Sequence, residues 1–445
     1  MRTEKQEIIK GSSFLLDSSK VPFDRIKYMT KNMQENYAFV SYIKKNKIKD
    51  EEKIKILEDF KKKFQEYRIN WKKNPKLAYL KKSYEEFNPL CLDIETAAIC
   101  DLACPHCYRE YILTPDKIMN FDLFNLIINE AIKLNVPSIK LNWRGEPLLN
   151  PNLEKFIKYA KDNGILEVSI NTNATHLTKE RAEAIINSGL DLIIFSFDGG
   201  SKETYEKMRP SRFGNNSFEV VYNNIKNFCE IKKVNKKKFP ITKIQMVLTN
   251  ETRNEVESFF NLFSNYVDDV TVTQYTERGG NFEILDKKLL DKVEKYLSIN
   301  NMSKNTKYFA DVDGKINIAI NRKPCEQLFQ RLMITYDGRV AMCCHDWGAQ
   351  HCLGYIDKKA FKLEETLVEL EKKIKANKKG FELLKNASRP KNYNAPIQEI
   401  QSLQQLWTGK ELMRVRNLHA EKKLNEIEIC KNCDFKDTYE WKEID

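Results

Sequence analysis

Six short apolar segments recur between residues 90 and 275, and the stretches between them have the spacing of amphipathic helices. A regular alternation of strands and helices produces a parallel sheet built from right-handed βαβ units. The nearly continuous apolar character of the segments indicates strands that are buried on both faces. The sequence therefore predicts an α/β fold, a partial (β/α)6 TIM-like barrel that is open rather than closed. The predicted strands are LCLDIE (90–95), SIKLNW (138–143), LEVSIN (166–171), LIIFSF (192–197), IQMVLT (244–249) and VTVTQY (270–275).

The connecting segments carry the helical signal. Phe124, Ile127, Ile128, Ala131 and Ile132 follow the i, i+3, i+4, i+7 and i+8 spacing of one helix face. In a barrel of alternating strands and helices the active site lies at the carboxyl ends of the strands. Polar residues that follow the predicted strands are therefore the candidates for function.

A charged region precedes the barrel. Within it Ile54, Leu57, Phe60 and Phe64 have the spacing of a helix stripe, which predicts a helical accessory region. The net charge of +12 comes largely from lysines that alternate with acidic residues and Asn. Such mixed runs are typical of a solvated surface, and they disfavour a nucleic-acid partner.

The regular alternation ends near residue 280. A helix is expected over 286–297, followed by a strand in KINIAI (315–320) and a hairpin in RLMITYDGRVAMCC (331–344). The Asp337-Gly338 pair predicts a type I′ turn in that hairpin. The predicted units are a helical accessory region (1–88), the barrel (89–280) and an α+β auxiliary domain (281–445).

Length and composition bound the class of protein. The 445 residues suit more than one domain, and 41% hydrophobic with 31% charged residues is ordinary for a globular protein. The sequence has neither the apolar core of a signal peptide nor about 18 consecutive apolar residues that could span a membrane. We therefore expect a cytoplasmic protein with no membrane partner.

Three of the eleven cysteines lie on one short segment, as Cys100-x-x-x-Cys104-x-x-Cys107. Three thiolates on one loop can bind three irons of a [4Fe-4S] cluster and leave the fourth iron open to a small-molecule ligand. Structural zinc fits this segment poorly, because no fourth ligand is nearby.

This motif resembles that of the radical S-adenosylmethionine (SAM) superfamily, and the resemblance extends over about residues 90–276. It implies that the open iron chelates SAM, and that reductive cleavage of SAM yields a 5′-deoxyadenosyl radical which abstracts a hydrogen atom from the substrate. It also implies a flavodoxin- or ferredoxin-type electron donor. The resemblance implies that Cys100, Cys104 and Cys107 are catalytic residues of this chain.

The resemblance assigns further residues to SAM binding. Gly145-Glu146-Pro147 is similar to the family's G-G-E-P element, although Arg144 replaces its first glycine. His106 occupies the position that packs near the adenine, and Arg209 resembles the arginine that pairs with the SAM carboxylate. The remaining residues implied at the SAM ribose and carboxylate lie at the ends of the third and fourth strands: Asn171, Asn173, Ser196 and Asp198.

A second group of cysteines lies near the carboxyl terminus. The spacing of Cys325, Cys343 and Cys430-x-x-Cys433 resembles a SPASM domain, and because no cysteine follows Cys433 the count fits the shorter twitch version. The resemblance implies one auxiliary [4Fe-4S] cluster bound by these four cysteines. A structural zinc ion with the same ligands is an alternative, and Cys344 is an alternative to Cys343.

The remaining candidates are less specific. Asp346 lies close to the second cysteine group in sequence and is a candidate catalytic base, or else a solvated turn residue. Cys91, Cys229 and Cys352 have the character of ordinary small apolar residues.

The twitch arrangement resembles that of aminocyclitol dehydrogenases. It implies oxidation or epimerisation of a small molecule, namely a sugar, a cyclitol or a glycan precursor. SPASM relatives that modify peptides or proteins give the alternative of a peptide-modifying maturase. A non-catalytic iron–sulfur redox protein is a more distant alternative, against which the open iron and the SAM motifs argue.

Overall fold

The amino-terminal region is helical, as predicted. A two-residue strand, β1 (Ser13–Phe14), is followed by α1 (Arg25–Lys31), α2 (Tyr37–Lys45) and the long α3 (Asp50–Lys81). The computed structural model describes residues 13–14, 23–81, 83–107, 109, 116–212, 214, 217–275, 287–304, 306–311, 313–346, 349, 351–357, 400–431, 433 and 435–444.

The buried apolar face of α3 is shorter than the sequence predicts. Phe60 and Phe64 are buried, but Ile54 is 72% exposed. Ile54 lies one turn into α3 and belongs to none of the clusters of buried apolar side chains.

The six predicted strands form a parallel sheet in sequence order, which confirms the barrel prediction. Each is nearly wholly buried because helices cover the outer face. The elements are β2 (Cys91–Ile94), α4 (Phe121–Lys133), β3 (Ser138–Lys140), α5 (Leu153–Asp162), β4 (Glu167–Thr172), α6 (Lys179–Ser188), β5 (Leu192–Ser196), α7 (Lys202–Met208), α8 (Phe218–Val234), β6 (Ile241–Leu248), α9 (Val256–Phe263) and β7 (Asp269–Gln274).

The carboxyl-terminal part mixes short helices and strands. The expected helix and the expected strand after residue 280 are both present, and the boundary predicted at 280–281 lies outside the described residues. The elements are α10 (Lys287–Ile299), β8 (Tyr308–Ala310), β9 (Ile316–Arg322), β10 (Arg331–Ile334), β11 (Arg339–Ala341), β12 (Cys352–Tyr355), α11 (Leu403–Trp407), α12 (Lys410–Ala420), α13 (Glu428–Lys431) and β13 (Tyr439–Ile444).

The predicted hairpin joins the barrel sheet. β10 pairs in parallel with β2, and β11 and β12 continue the sheet beyond it, while β1 pairs with β7 at the opposite edge. β8, β9 and β13 form a separate sheet. The type I′ prediction was wrong. Gly338 has φ +96° but Asp337 does not have a positive φ, so the turn is a three-residue loop that ends in a left-handed glycine.

The amino-terminal helices close one end of the barrel. Phe39, Phe60 and Phe64 pack against residues at the amino ends of the parallel strands, such as Leu192 and Ile241. The carboxyl ends of the strands are left for the site. In the described part of the chain, no helix is both long enough and apolar enough for a membrane crossing.

A buried ionic network ties these helices to the sheet. Asp191 precedes β5, and its carboxylate accepts hydrogen bonds from Lys161 Nζ (2.7 Å), Asn36 Nδ2 (2.6 Å) and the Val168 N–H (2.7 Å). Asn36 caps α2, and Lys161 lies on α5 with no exposed surface. Three elements therefore share one carboxylate.

Replacing Asp191 by Ala should lower the free energy of unfolding by about 3–5 kcal/mol, because Lys161 would keep a buried charge without its partner. Urea denaturation followed by circular dichroism measures this loss. The control is Glu219→Ala, which breaks the exposed Lys202–Glu219 pair (2.8 Å) and should leave the midpoint unchanged. An equal and small effect of both changes would contradict the role of the network.

Candidate active site

A cavity of about 620 Å³ opens at the carboxyl ends of the parallel strands. Residues predicted from well-separated parts of the sequence converge on its wall. Those that line it are Cys100, Cys104, His106, Cys107, Gly145, Glu146, Asn171, Asn173, Ser196 and Arg209. The structure thus brings together most of the residues expected at a cluster and at SAM, while Pro147 begins the short 3-10 helix Pro147–Leu149 beside them.

The loop that carries the three cysteines is held against the segment after β3. The Glu146 N–H donates to the Ile99 carbonyl oxygen (2.9 Å). A Cβ atom at Gly145 would lie 2.8 Å from the carbonyl carbon of Ala98 and even closer to the carbonyl oxygens of Ala97 and Ile99. Only glycine allows this approach of two backbones.

Glu146 is buried and its carboxylate is already oriented. It accepts hydrogen bonds from Thr172 Oγ1 (2.7 Å), the Asn173 N–H (2.8 Å) and the Leu148 N–H (3.0 Å). Burial and the nearby Asp101 carboxylate raise the pKa of Glu146 to about 7, against the effect of these donors. A positively charged group in the cavity would favour the ionised form, as the predicted contact with the SAM ammonium requires.

Asp198 lies behind the cavity wall. Its Oδ2 contacts Arg209 Nη2 (2.7 Å) and His106 Nε2 (3.2 Å), and its Oδ1 accepts the Val247 N–H (2.7 Å). Burial alone would raise the pKa of Asp198, but Arg209 and His106 hold it well below its usual value. Asp198 therefore positions two residues that line the cavity and does not itself line it.

Asp101 is a site residue that the sequence analysis missed. It lies between Cys100 and Cys104, and its Oδ1 accepts a hydrogen bond from Asn173 Nδ2 (2.8 Å) while Oδ2 contacts His176 Nε2 (3.4 Å). Although burial opposes it, His176 and Asn173 lower the pKa of Asp101. The partners are more than 70 residues away, so no local pattern could have indicated them.

Arg144 replaces the first glycine of the expected element and has a defined partner. Its Nε and Nη2 donate to the two carboxylate oxygens of Glu95 (2.6 and 2.7 Å), with both side chains almost wholly buried. Its guanidinium also lies 4.7 Å from the centre of the Trp143 ring. A bidentate pair of this kind fixes the direction of the segment after β3 relative to β2.

The second cysteine group surrounds a smaller cavity. Cys325, Cys343, Cys430 and Cys433 all line it. Cys344 instead lines the first cavity. The structure therefore favours Cys343 over Cys344 as the fourth member of this group.

His419 lies beside the second group with a defined tautomer. Its Nδ1 accepts the Cys325 N–H (3.2 Å), so the ring proton is on Nε2, which lies 3.4 Å from Cys430 Sγ. Burial and the nearby Arg322 lower the pKa of His419 to about 4, so the ring is neutral at pH 7. His419 is thus positioned to donate to a thiolate of Cys430, and sequence spacing gave no sign of it.

In the described residues, no three His, Cys, Asp or Glu side chains lie close enough to hold a single metal ion. Cysteines around an iron–sulfur cluster are spread over several irons and so need a wider arrangement. The four cysteines that line the second cavity are a donor set that suits an iron–sulfur cluster.

Three residues line both cavities: Gln327, His345 and Phe435. The Trp143 Nε1–H donates to the Cys344 carbonyl oxygen (3.1 Å), which ties the hairpin of β10 and β11 to the segment after β3. The two cavities are therefore neighbours that share a wall.

Asp346, the candidate base, does not line either cavity. It is buried, its carboxylate accepts the His351 N–H (2.9 Å), and its own N–H donates to the Cys343 carbonyl oxygen (3.1 Å). The structure thus places Asp346 in the bend after Cys343, outside the walls of both cavities.

Comparison with known proteins gives two family matches. Residues 94–263 match the radical SAM superfamily, and residues 325–367 match the SPASM iron–sulfur cluster-binding domain. A radical SAM domain holds a [4Fe-4S] cluster with SAM, and a SPASM domain holds auxiliary iron–sulfur clusters.

Among curated relatives, a probable GTP 3′,8-cyclase of Methanocaldococcus jannaschii is 26% identical over 253 residues, which are 55% of this chain and 81% of that protein. The tungsten-containing aldehyde ferredoxin oxidoreductase cofactor-modifying protein of Pyrococcus furiosus is 31% identical over 110 residues, which are 24% of this chain and 30% of that protein. Among solved structures, Streptococcus suis SuiB bound to its precursor peptide SuiA has a TM-score of 0.47 at 14% identity, covering 88% of this chain and 79% of SuiB. BtrN in complex with AdoMet and 2-DOIA has a TM-score of 0.41 at 14% identity, and the match covers 78% of this chain and 93% of BtrN.

Replacing Gly145 by Ala should displace the cysteine loop and remove the first cluster while sparing the second. Reconstituted parent protein should carry about eight irons per chain and the variant about four. Iron analysis with electron paramagnetic resonance of the reduced protein measures this. Gly164→Ala is the control. No atom lies within 4 Å of the place where its Cβ would be, so this change carries only the cost of a positive φ (+92°). Retention of full iron content by Gly145→Ala would contradict the argument.

Replacing His419 by Phe should lower the reduction potential of the auxiliary cluster, because a hydrogen bond to a cysteine sulfur stabilises the more negative, reduced state. We expect a fall of roughly 20–60 mV, since a hydrogen bond contributes about 0.5–1.5 kcal/mol and 59 mV corresponds to about 1.4 kcal/mol for one electron. Potentiometric titration measures it. The control is His176→Phe. His176 contacts Asp101 in the three-cysteine loop, so this change should leave the potential of the auxiliary cluster unchanged. Equal shifts in both variants would refute the assignment.

Proposed function

Because the chain belongs to the radical SAM superfamily, we propose that it oxidises a small polyhydroxylated molecule of the sugar, cyclitol or glycan-precursor type. The bound groups supply a radical that takes a hydrogen atom from carbon and an acceptor for the second electron. Oxidation of an alcohol to a carbonyl then requires the chain to bind the substrate, exclude water and take one proton.

The observation that carries this proposal is the wall shared by the two cavities. Gln327, His345 and Phe435 are the side chains that face both the three-cysteine and the four-cysteine sites. A substrate in the larger cavity would therefore be close to the four cysteines. This arrangement supports a net oxidation more than a redox-neutral reaction.

The hydrogen-bonding character of the cavity supports a substrate with hydroxyl groups. Asn171 Oδ1 and Gln274 Oε1 are buried and accept no hydrogen bond from the residues that the structure describes, and both residues line the cavity. A buried acceptor without a donor is unfavourable by about 1–3 kcal/mol. Hydroxyl groups of a bound sugar, or of the SAM ribose at Asn171, are donors that satisfy them.

We assign the proton acceptor to His345 rather than to Asp346. His345 lines both cavities and its ring packs against Phe435, with 4.7 Å between the ring centres. Asp346 has its backbone partner and no access to the cavity. An imidazole that lines the substrate cavity is suited to act as a general base toward a substrate hydroxyl group.

The curated relatives named as probable GTP 3′,8-cyclases support a small polar substrate for this chain.

A peptide substrate is the alternative, and the test of the substrate class distinguishes the two. SAM-dependent 5′-deoxyadenosine formation should rise with sugars, cyclitols or their derivatives and not with peptides. A rise with peptides alone would overturn the substrate class.

Replacing Cys430 and Cys433 together by Ala should leave SAM cleavage intact and abolish the oxidised product, because the electron acceptor is no longer held. Mass spectrometry of 5′-deoxyadenosine and product measures both. Cys229→Ala is the matched control, since Cys229 lies on α8 and lines neither cavity. Replacing Cys100, Cys104 and Cys107 should abolish cleavage itself. Loss of a cluster can unfold a small domain, so circular dichroism accompanies the assay. Oxidised product at the parental rate from the folded double variant would show that the four-cysteine site is not the electron acceptor.

A further inference from the structure

We propose that the inner end of the larger cavity is an anion-binding subsite, formed by Lys140 and Arg331, that holds a carboxylate or phosphate group of the substrate. This inference rests on the proposed function and deepens it. It adds a fixed negative charge to the polyhydroxylated molecule. Neither the cysteine motifs nor the residues expected at SAM include this part of the cavity.

The subsite is built on three neighbouring strands. Arg331 begins β10, Asp93 lies in β2 and Lys140 ends β3, and all three line the cavity. Asp93 and Lys140 are direct partners in the parallel register, and Arg331 is the partner of Cys91, two residues before Asp93. Lys140 is the register partner of Ser169, two residues before Asn171, so this group lies deeper in the barrel than the residues expected at SAM.

The three charges do not cancel. Arg331 Nη1 contacts Asp93 Oδ2 at 2.8 Å, which neutralises one pair. Lys140 lies near this pair but its ammonium interacts with the charged groups there only through space, without a hydrogen-bond partner among the described residues. One positive charge is therefore left in excess at the inner end of the cavity.

Arg331 also has donor capacity left over. Its Nε is buried and has no hydrogen-bond partner among the described residues, and the Trp71 ring covers the guanidinium with its centre 4.9 Å from Cζ. A guanidinium held flat by an aromatic ring presents its donors in a fixed direction, which suits the planar or tetrahedral oxygens of a carboxylate or phosphate.

The pKa of Lys140 also supports an anion-binding subsite. Burial lowers the pKa of Lys140, and Arg331 lowers it further, while Asp93 acts in the opposite direction. An ammonium in this position is disfavoured by desolvation and by a like charge. An anion between Lys140 and Arg331 would relieve both effects.

Two buried lysines elsewhere in the described part of the chain, Lys161 and Lys232, have structural partners. Lys161 Nζ contacts Asp191 Oδ2 at 2.7 Å, and Lys232 Nζ contacts Asp268 Oδ2 at 2.6 Å. Each of these lysines has a carboxylate of its own. Lys140 differs because the nearest carboxylate, Asp93, is already paired with Arg331.

The test measures anion binding to the reconstituted protein in the presence of saturating SAM, so that the SAM carboxylate is already bound. Equilibrium dialysis at pH 7 with labelled inorganic phosphate, and separately with labelled acetate, gives the affinity of each anion. The parent protein should bind at least one of them saturably. Lys140→Met should weaken that binding about tenfold or more, as expected for loss of a charged hydrogen-bond donor.

Two variants complete the design. Lys140→Arg keeps the charge and should keep the affinity to within about threefold. Lys133→Met removes the same charge from an exposed position on α4 (72% exposed side chain) and should bind as the parent does. Because Lys140 donates to no described side chain, Lys140→Met leaves no new unpaired partner behind.

Unchanged phosphate and acetate binding in Lys140→Met, or no saturable binding in the parent, would overturn the subsite. Preference for phosphate indicates a phosphate ester, and preference for acetate indicates a carboxylate. The measurement needs no turnover. A protein that cleaves no SAM would contradict the proposed function alone, and a protein that cleaves SAM but shows no Lys140-dependent binding would contradict this inference alone.

Discussion

The close contact between Gly145 and the backbone of residues 97–99 is the constraint on which the rest of the site depends. The three cysteines follow on a loop without regular secondary structure, so their positions come from what the loop rests on. A side chain at residue 145 would occupy the space of the Ala98 carbonyl group. The geometry of three thiolates is therefore set by the absence of a Cβ atom on a neighbouring segment.

A closed circuit of hydrogen bonds makes that contact rigid. Ile99 accepts from the Glu146 N–H, and Glu146 accepts from the Asn173 N–H. Asn173 then donates through Nδ2 to Asp101, which lies in the cysteine loop two residues after Ile99. Each link restricts the next, and removal of one would leave a buried polar group unpaired. These hydrogen bonds position the cysteine loop against the segment after β3.

The sequence predicted those features that depend on residues close together in the chain or on known motifs. Periodicity located six strands because each is a short buried run. Cysteine spacing indicated both groups because it resembles known motifs, although Cys343 and Cys430 are far apart in sequence. It did not reveal the pairs Glu95–Arg144 and Asp101–Asn173, whose members are 49 and 72 residues apart. Local spacing also misjudged Asp337, because a dipeptide does not determine how many residues the hairpin loop contains.

Local patterns could not predict the pairing of β10 with β2 either, since a parallel partner can come from any distance along the chain. This pairing determines the relative positions of several site residues. β10 leads through the hairpin to Cys343 and also carries Arg331, while β2 leads to Cys100. Main-chain hydrogen bonds thus fix Cys343, the inner end of the cavity and the three-cysteine loop relative to one another. A substrate anchored at Arg331 would keep a constant distance from both cysteine sites, which is what successive removal of a hydrogen atom and an electron from one carbon requires.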